Sequence, residues 1–243
     1  MRQPRPGPGI GHALTPEQEL ACALRICARA GWHENLSGHI TIATADGGML
    51  CNPWGMWWEE VTASDVLRLD ADGEIVQGRW DVTPAVFLHT ELHRARPDAA
   101  VIVHNHPYYA TLLANLGVLP RILHQNASIF DDELVLVDEY SGVEDANDGK
   151  WLAREVGAAS GILLAHHGAI VTAPTVAEAC YKAATFERMC SFTYDALVAR
   201  HDAPELPTDA RAAMKPVLRQ NAPQAYWDGA VRLLVRDEPD VLS

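Results

Sequence analysis

The chain has 243 residues, with 19 basic against 32 acidic side chains and a formal net charge of −13. A length below about 250 residues suits a single hydrophobic core. A hydrophobic share of 48% with 21% charged residues excludes a disordered or fibrous chain. The acidic surplus argues against a nucleic-acid or anionic-membrane partner, because phosphates are bound by basic side chains.

Residues 1–14 are rich in proline and glycine and contain no apolar stretch, so we expect a flexible arm and no signal peptide. A catalytic domain is expected over 15–203 and an extension with a terminal helix over 204–243. No apolar run approaches the roughly 20 residues that span a bilayer. The five cysteines include no CxxC pair, which argues against a disulfide framework and favours a cytoplasmic location.

Helix and strand signals alternate along the chain in uneven runs. Thr15 and Gln18 can form a capping box around Pro16, which predicts a helix over 15–30. Further helices are predicted over 84–94, 107–116, 151–159, 175–199 and 223–235. Strands are predicted over 37–44, 48–51, 66–69, 74–76, 100–104, 134–138, 161–165 and 169–172. Because few regular βαβ units occur, this order predicts a three-layer α/β/α fold around a mostly antiparallel sheet.

The chain contains eleven histidines. Because histidine is the commonest metal ligand, we consider first whether any of them form a metal site. His104 and His106 follow an apolar run with one residue between them. Residues i and i+2 of a strand face the same side, so both rings could bind one ion, with Pro107 ending the strand. The alternative is a pair of surface or hydrogen-bonded histidines.

A second motif, His166-His167-Gly168, follows another apolar run. Adjacent residues of a strand face opposite sides, so at most one of these histidines can join the first pair. Three histidines with room for a substrate are typical of catalytic metal sites. The alternative is a polar strand end.

His89 and His93 form a third pair on one face of a predicted helix. They lack the glutamate that follows the first histidine of an HExxH motif, so a zinc-protease site is disfavoured. The alternative is a role in the core or behind the ligands.

Taken in order, the motifs resemble the class II aldolase/adducin family over residues 16–199. The matching segments are His39-Ile40-Thr41, 52–56, 60–65, 89–98 and the motifs at 104–106 and 166–168. The resemblance implies a three-layer α/β/α fold and a homotetramer with sites at subunit interfaces. It also implies one divalent metal ion per subunit, zinc before manganese or iron, bound by His104, His106 and His167.

Two departures from the family bear on the substrate. The family's sugar-phosphate aldolases carry a glutamate four residues before the histidine that matches His89, and this position is Ala85 here. Residues that grip the phosphate in those enzymes are replaced by Trp54 and by Thr83-Pro84. The departures imply a non-phosphorylated substrate, although Trp54 could equally be a packed loop residue.

Further roles follow from the resemblance. A tyrosine that donates a proton across the subunit interface is matched by His124, which we expect to be the proton donor; the alternative is a hydrogen-bonded interface histidine. The residues expected to contact the substrate are Asn35, His39, Trp54, Gly55 and Tyr108. His89 and His166 are expected behind the ligands.

A three-histidine metal ion with open positions acts as a Lewis acid. Decarboxylation needs only the return of a proton, whereas retro-aldol cleavage also needs a base. We therefore expect a metal-dependent carbon–carbon lyase of a small hydroxy- or keto-carboxylate, with decarboxylation favoured over retro-aldol cleavage. The alternatives are an Fe(II)-dependent oxygenase of an aromatic keto or hydroxy acid, and a non-catalytic adducin-like module.

Overall fold

A computed structural model describes residues 7–143, 145–200 and 202–243. Within these residues the α-helices are α1 (Pro16–Arg29), α2 (Phe87–Ala95), α3 (Tyr108–Asn115), α4 (Ala146–Val156), α5 (Val176–Val198) and α6 (Thr208–Asp237). The strands are β1 (His39–Ala43), β2 (Met49–Cys51), β3 (Leu67–Leu69), β4 (Ile75–Gln77), β5 (Val101–Asn105), β6 (Leu134–Val137), β7 (Gly161–Leu164) and β8 (Gly168–Ala173). Short 3₁₀ helices occupy Ala63–Asp65, Pro84–Val86, Gln125–Phe130 and Pro239–Leu242.

The described strands form one sheet in the order β4-β3-β2-β1-β5-β8-β7-β6. Neighbouring strands are antiparallel except β6 and β7, which are parallel and are connected through α4. The strand that carries the first histidine motif, β5, lies between β1 and β8. The sheet is therefore mostly antiparallel, as predicted.

Alternate residues of β5 enter different cores. Val101 and Val103 pack in the main core, by which we mean the apolar cluster that includes residues of α1, α3, α5 and α6. Ile102 packs on the other face, with Leu88 of α2 and Leu152 of α4. Because successive strand residues face opposite sides, a helix layer covers each face of the sheet. The predicted three-layer α/β/α architecture is confirmed.

The predicted capping box of α1 is present. The Thr15 hydroxyl accepts from the Gln18 backbone N–H, and the Gln18 side chain accepts from the Thr15 N–H. Pro16 occupies the first turn, where its missing N–H costs nothing.

Two helices begin earlier than predicted. The helix expected over 151–159 is α4, Ala146–Val156, because the Asp145 carboxylate caps it by accepting from two backbone N–H groups. The helix expected over 223–235 is α6, Thr208–Asp237, with Pro216 and Pro223 inside it. An interior proline costs about 3 kcal/mol, so the sequence favoured the later start. Burial of apolar side chains against the main core offsets this cost: Leu218, Trp227, Val231 and Leu234.

Residues 1–6 of the expected arm lie outside the described residues. Of the remainder, Ile10 and Leu14 pack against the main core. The division of the chain at residues 14 and 203 stays a prediction. Among the described helices we find no segment with the length and apolar character needed to span a membrane.

Candidate metal centre

The two histidine motifs meet at one end of the central strands. His104 lies in β5, and His106 follows the end of that strand. His167 lies in the turn before β8, which pairs with β5 so that Ala169 is opposite Asn105. Nitrogen atoms of His104, His106 and His167, one from each ring, all lie within 4.8 Å of one another. The structure thus brings together the three residues predicted as ligands, and we call them the triad.

Hydrogen bonds fix which nitrogen faces inward in two triad rings. His104 Nδ1 lies 3.0 Å from the carbonyl oxygen of Ala169, and His106 Nδ1 lies 2.6 Å from Glu34 Oε2. A carbonyl or carboxylate oxygen can only accept, so each Nδ1 carries a proton, and in the neutral ring the lone pair is on Nε2. His106 Nε2 is buried and has no hydrogen-bond partner among the described residues.

Burial favours the neutral form of two triad rings, those of His104 and His167. Burial, with His167 as the nearest imidazole, lowers the pKa of His104 well below its ordinary value. Burial and the neighbouring His106 lower the pKa of His167 to about 4. A neutral imidazole is the form that binds a metal ion, because its second nitrogen keeps a lone pair.

The spacing of the triad suits a divalent ion. His104 Nε2 and His167 Nε2 lie 3.2 Å apart. A tetrahedral ion bound by nitrogens at 2.0–2.1 Å would separate two of them by roughly 3.4 Å. His106 and His167 are partly exposed, which leaves one side open to a small molecule. The donor set therefore fits the metal that the histidine motifs predicted.

A hydrogen-bonded relay orients His89 behind the triad. His93 Nδ1 donates to the Ala99 carbonyl oxygen at 2.7 Å, so His93 Nε2 accepts from the Thr41 hydroxyl at 2.8 Å. That hydroxyl has one proton and must then accept from His89 Nδ1 at 2.8 Å. His89 Nε2 is left as a buried acceptor without a partner among the described residues.

His39 and His89 border the buried side of the triad. His39 is opposite His104 in the β1–β5 pairing, and their ring centroids lie 6.0 Å apart. The His89 ring lies 5.4 Å from His39 and 6.4 Å from His104. Burial, with the nearby imidazoles of the triad, lowers the pKa of His39 to about 4. Both residues thus lie beside His104, His39 at a strand terminus and His89 in α2.

The other predicted contacts lie outside this cluster. Trp54 and Tyr108 are exposed, and Gly55 has a φ of 88°. Asn35 has a φ of 45° and its side-chain oxygen accepts the next backbone N–H at 2.6 Å. His166 is exposed with a φ of 57° and is not part of the triad. Among the described contacts none joins these side chains to the triad, and their roles stay predictions.

His124 lies in a separate cavity of about 770 Å³. Its ring packs edge-on against Phe192 with 5.1 Å between centroids, and neither ring nitrogen has a partner among the described residues. Burial and the nearby Arg188 lower the pKa of His124. No triad histidine lines this cavity, so within one described chain the expected proton donor and the triad are not brought together.

Sequence reasoning missed residues that contact the triad from distant segments. Glu34, in the loop after α1, bonds His106. Tyr140, in the loop after β6, packs its ring 4.9 Å from that of His167. Burial, with Asp148 nearby, raises the pKa of Tyr140 to about 12. No spacing rule in the sequence links these residues to the histidine motifs, because only the folded chain makes them neighbours.

Comparison with known proteins gives a consistent picture. The family model for the class II aldolase and adducin N-terminal domain matches residues 18–194. An adducin-related protein of Schizosaccharomyces pombe is 33% identical over 192 residues, which cover 70% of this chain and 57% of that protein. The decarboxylase NovR of Streptomyces niveus is 31% identical over 176 residues, which cover 70% and 65%.

A third relative is named as an oxygenase. The 4-hydroxy-3-prenylphenylpyruvate oxygenase/4-hydroxy-3-prenylbenzoate synthase of Streptomyces roseochromogenus is 31% identical over 176 residues, covering 70% of this chain and 64% of that protein. The chain thus spans less than two thirds of the length of each of these three curated relatives.

Solved structures share the fold. The L-fuculose 1-phosphate aldolase of Glaciozyma antarctica superposes with a TM-score of 0.81 at 21% identity, covering 93% of this chain and 91% of that one. An aldolase II superfamily protein of Pseudomonas syringae gives a TM-score of 0.78 at 23% identity, covering 94% and 97%.

Proposed function

Because the chain belongs to the class II aldolase and adducin family, we propose that it is a divalent-metal-dependent carbon–carbon lyase. Its substrate would be a small, non-phosphorylated hydroxy- or keto-carboxylate, and decarboxylation is favoured over retro-aldol cleavage. Zinc is the first choice of metal, with manganese or iron as alternatives.

The convergence of three imidazoles carries this proposal. His104, His106 and His167 place ring nitrogens within 4.8 Å of one another, and one side of the group is open. Three protein ligands with a free position are the pattern of catalytic metal sites, whereas structural sites are closed by a fourth ligand.

The surrounding residues support a non-phosphorylated substrate. Trp54 is exposed on the loop after β2, at the position where the family's sugar-phosphate aldolases grip a phosphate. An indole offers a flat apolar face and one N–H donor, which suits a ring or a carboxylate-bearing side chain better than a dianion. Ala85, in the turn before α2, cannot move a proton, and this favours a reaction that needs no base.

In the proposed reaction, the metal ion and the side chains of the protein have different roles. A metal bound by the triad would supply Lewis acidity toward the oxygens of a hydroxy- or keto-carboxylate. The triad rings would hold it, with His104 and His106 each oriented through Nδ1. His124 would return the proton after carbon dioxide leaves. An anionic substrate beside His124 would raise the pKa that burial lowers.

The assembly proposed with this function is a homotetramer with sites at subunit interfaces. It would allow His124 of one subunit to reach the triad of another, although the two lie in separate places within one chain. The five cysteines are free and buried, in keeping with the cytoplasmic location we propose.

Two alternatives have a specific observation in their favour. The relative from Streptomyces roseochromogenus is named an oxygenase at 31% identity, and a triad without a carboxylate could also hold Fe(II). The relative from Schizosaccharomyces pombe is named adducin-related at 33% identity, which favours a non-catalytic module.

Metal analysis followed by activity assays tests the proposal. The protein is purified without chelator, its metal content is measured, and carbon dioxide release is followed on a panel of hydroxy-aromatic and keto carboxylates without oxygen. We expect a divalent ion in the wild type and in His12→Ala, because His12 is exposed and lines a cavity that contains no triad residue. We expect the loss of the ion in His106→Ala.

Each other outcome selects a different function. Absence of bound metal after incubation with zinc, manganese and Fe(II) would support the non-catalytic module. Oxygen consumption with Fe(II) would support the oxygenase. Formation of a carbonyl fragment instead of carbon dioxide would support retro-aldol cleavage.

A further inference from the structure

We propose that Glu34 is a positioning residue for the metal centre, and that its carboxylate holds His106 in the orientation that binds the ion. The inference rests on the proposed metal site. It assigns a role to a residue that no motif in the sequence identifies.

The contact is short and leaves the metal-facing nitrogen free. Glu34 Oε2 lies 2.6 Å from His106 Nδ1. Donation from Nδ1 to the carboxylate fixes the tautomer of the neutral His106 ring, so that Nε2 carries the lone pair. Nε2 is buried and has no hydrogen-bond partner among the described residues. Histidine ligands commonly donate their second N–H to a carboxylate in this way, which fixes the ring and raises its basicity.

The loop that carries Glu34 is hydrogen-bonded to β5. Asn105 lies between His104 and His106. Its amide nitrogen donates to the carbonyl oxygens of Trp32 at 3.4 Å and Ser37 at 3.0 Å. Its amide oxygen accepts from the His106 N–H at 2.7 Å. One side chain therefore fixes both the loop before β1 and the backbone of the ligand that Glu34 contacts.

The loop backbone has the shape that this contact requires. Asn35 adopts a φ of 45°, and the Ser37 N–H donates to the Glu34 carbonyl oxygen at 3.0 Å, which turns the chain after Glu34. A Cβ on Gly38 would lie 2.5 Å from the Asn105 side chain, so this close approach needs glycine. The backbone that carries Glu34 is thus held by contacts within the fold.

His106 differs from His104 in how its orientation can be changed. The acceptor for His104 is a backbone carbonyl, which no side-chain substitution removes. The acceptor for His106 is an exposed carboxylate. A substitution of Glu34 therefore removes the acceptor of a triad ring nitrogen without removing a ligand.

Two measurements on three variants test the role. The variants are Glu34→Ala, the isosteric Glu34→Gln, and Glu59→Gln as a control, because Glu59 lies 3.8 Å from His33 Nε2 in a histidine–carboxylate pair that contains no triad residue. The first measurement is the tautomer of His106 in metal-free protein, by long-range ¹H–¹⁵N NMR. The second is the zinc dissociation constant in competition with a chelating dye.

We expect His106 to carry its proton on Nδ1 in the wild type and in Glu59→Gln, and to populate both tautomers in Glu34→Ala. Zinc should bind roughly 10–100-fold more weakly to Glu34→Ala, and less so to Glu34→Gln, whose amide oxygen can still accept. The control should bind zinc as the wild type does.

An unchanged His106 tautomer in metal-free Glu34→Ala would overturn the proposal, as would wild-type zinc affinity in both Glu34 variants. If the wild type binds no metal while the tautomer changes as expected, the metal function fails and the control of His106 by Glu34 stands. The two failures are therefore distinguishable.

Discussion

Acceptors of three different kinds orient the rings of the site. A backbone carbonyl accepts from His104, a carboxylate accepts from His106, and a hydroxyl accepts from His89. A carbonyl or carboxylate oxygen can only accept, whereas a hydroxyl both accepts and donates. The tautomer of His93 is fixed by its hydrogen bond to a backbone carbonyl. The Thr41 hydroxyl therefore donates to His93 and is left to accept from His89, which fixes the tautomer of His89.

Removal of the Thr41 hydroxyl tests this relay. Thr41→Val keeps the shape but leaves a buried N–H of His89 and a buried nitrogen of His93 without partners. Each unpaired group costs about 1–3 kcal/mol, so we expect the free energy of unfolding to fall by about 2–6 kcal/mol. The measurement is urea unfolding of the metal-free protein.

Thr41→Ser is the matched control. It keeps the hydroxyl and loses one methyl group, which costs about 1 kcal/mol. An equal loss of stability in the two variants would show that the hydroxyl does not connect the rings.

Among the elements, α6 departs furthest from its predicted form. A helix over 223–235 was predicted, and α6 begins at Thr208 and continues through Pro216 and Pro223. Local propensity disfavours proline in a helix interior, but burial of the apolar face against the main core outweighs it. Strand positions were predicted more closely, because alternation of apolar residues around glycine-rich turns is a local signal.

Adjacent leucines of α6 test its packing. Leu234 is fully buried and Leu233 is 51% exposed. Leu234→Ala should lower the free energy of unfolding by about 2–5 kcal/mol, because it opens a cavity in the main core. Leu233→Ala should change it little, since exposed positions tolerate substitution. Similar losses in thermal and urea unfolding of the two variants would contradict the described packing.

At the scale of the whole molecule, histidines buried beside the sheet make stability depend on pH. Burial lowers the pKa of both His39 and His93 to about 4 from an ordinary value of 6.5. Between these pH values the unfolded chain binds more protons than the folded one, so the free energy of unfolding decreases as the pH falls. The loss is complete below the folded pKa, and one such histidine contributes on the order of 3 kcal/mol.

Urea unfolding of metal-free protein at successive pH values measures this dependence. We expect stability to be nearly constant above the ordinary histidine pKa and to decline toward pH 4. His93→Gln should flatten the decline, and His12→Ala, at an exposed position, should leave it unchanged. A slope that is the same in both variants would mean that His93 is not held neutral by the fold.

The sequence by itself determined what depends on neighbours along the chain. The spacing of His104 and His106 before Pro107, and the motif that ends at Gly168, are local features of strand termini. So is the capping box at Thr15, which fixed the start of α1. The order of helix and strand signals likewise predicted the three-layer architecture, in which helices cover both faces of the sheet.

Only the tertiary structure decided which distant segments meet. The register of β5 against β8 brings His167 to His104, and the loop after α1 brings Glu34 to His106 across a separation of 72 residues. Strand register and loop contacts depend on packing energies summed over the whole core, and no local pattern encodes them. The proposed metal ligands were therefore predictable as motifs, whereas the carboxylate and the hydroxyl that orient the site histidines were not.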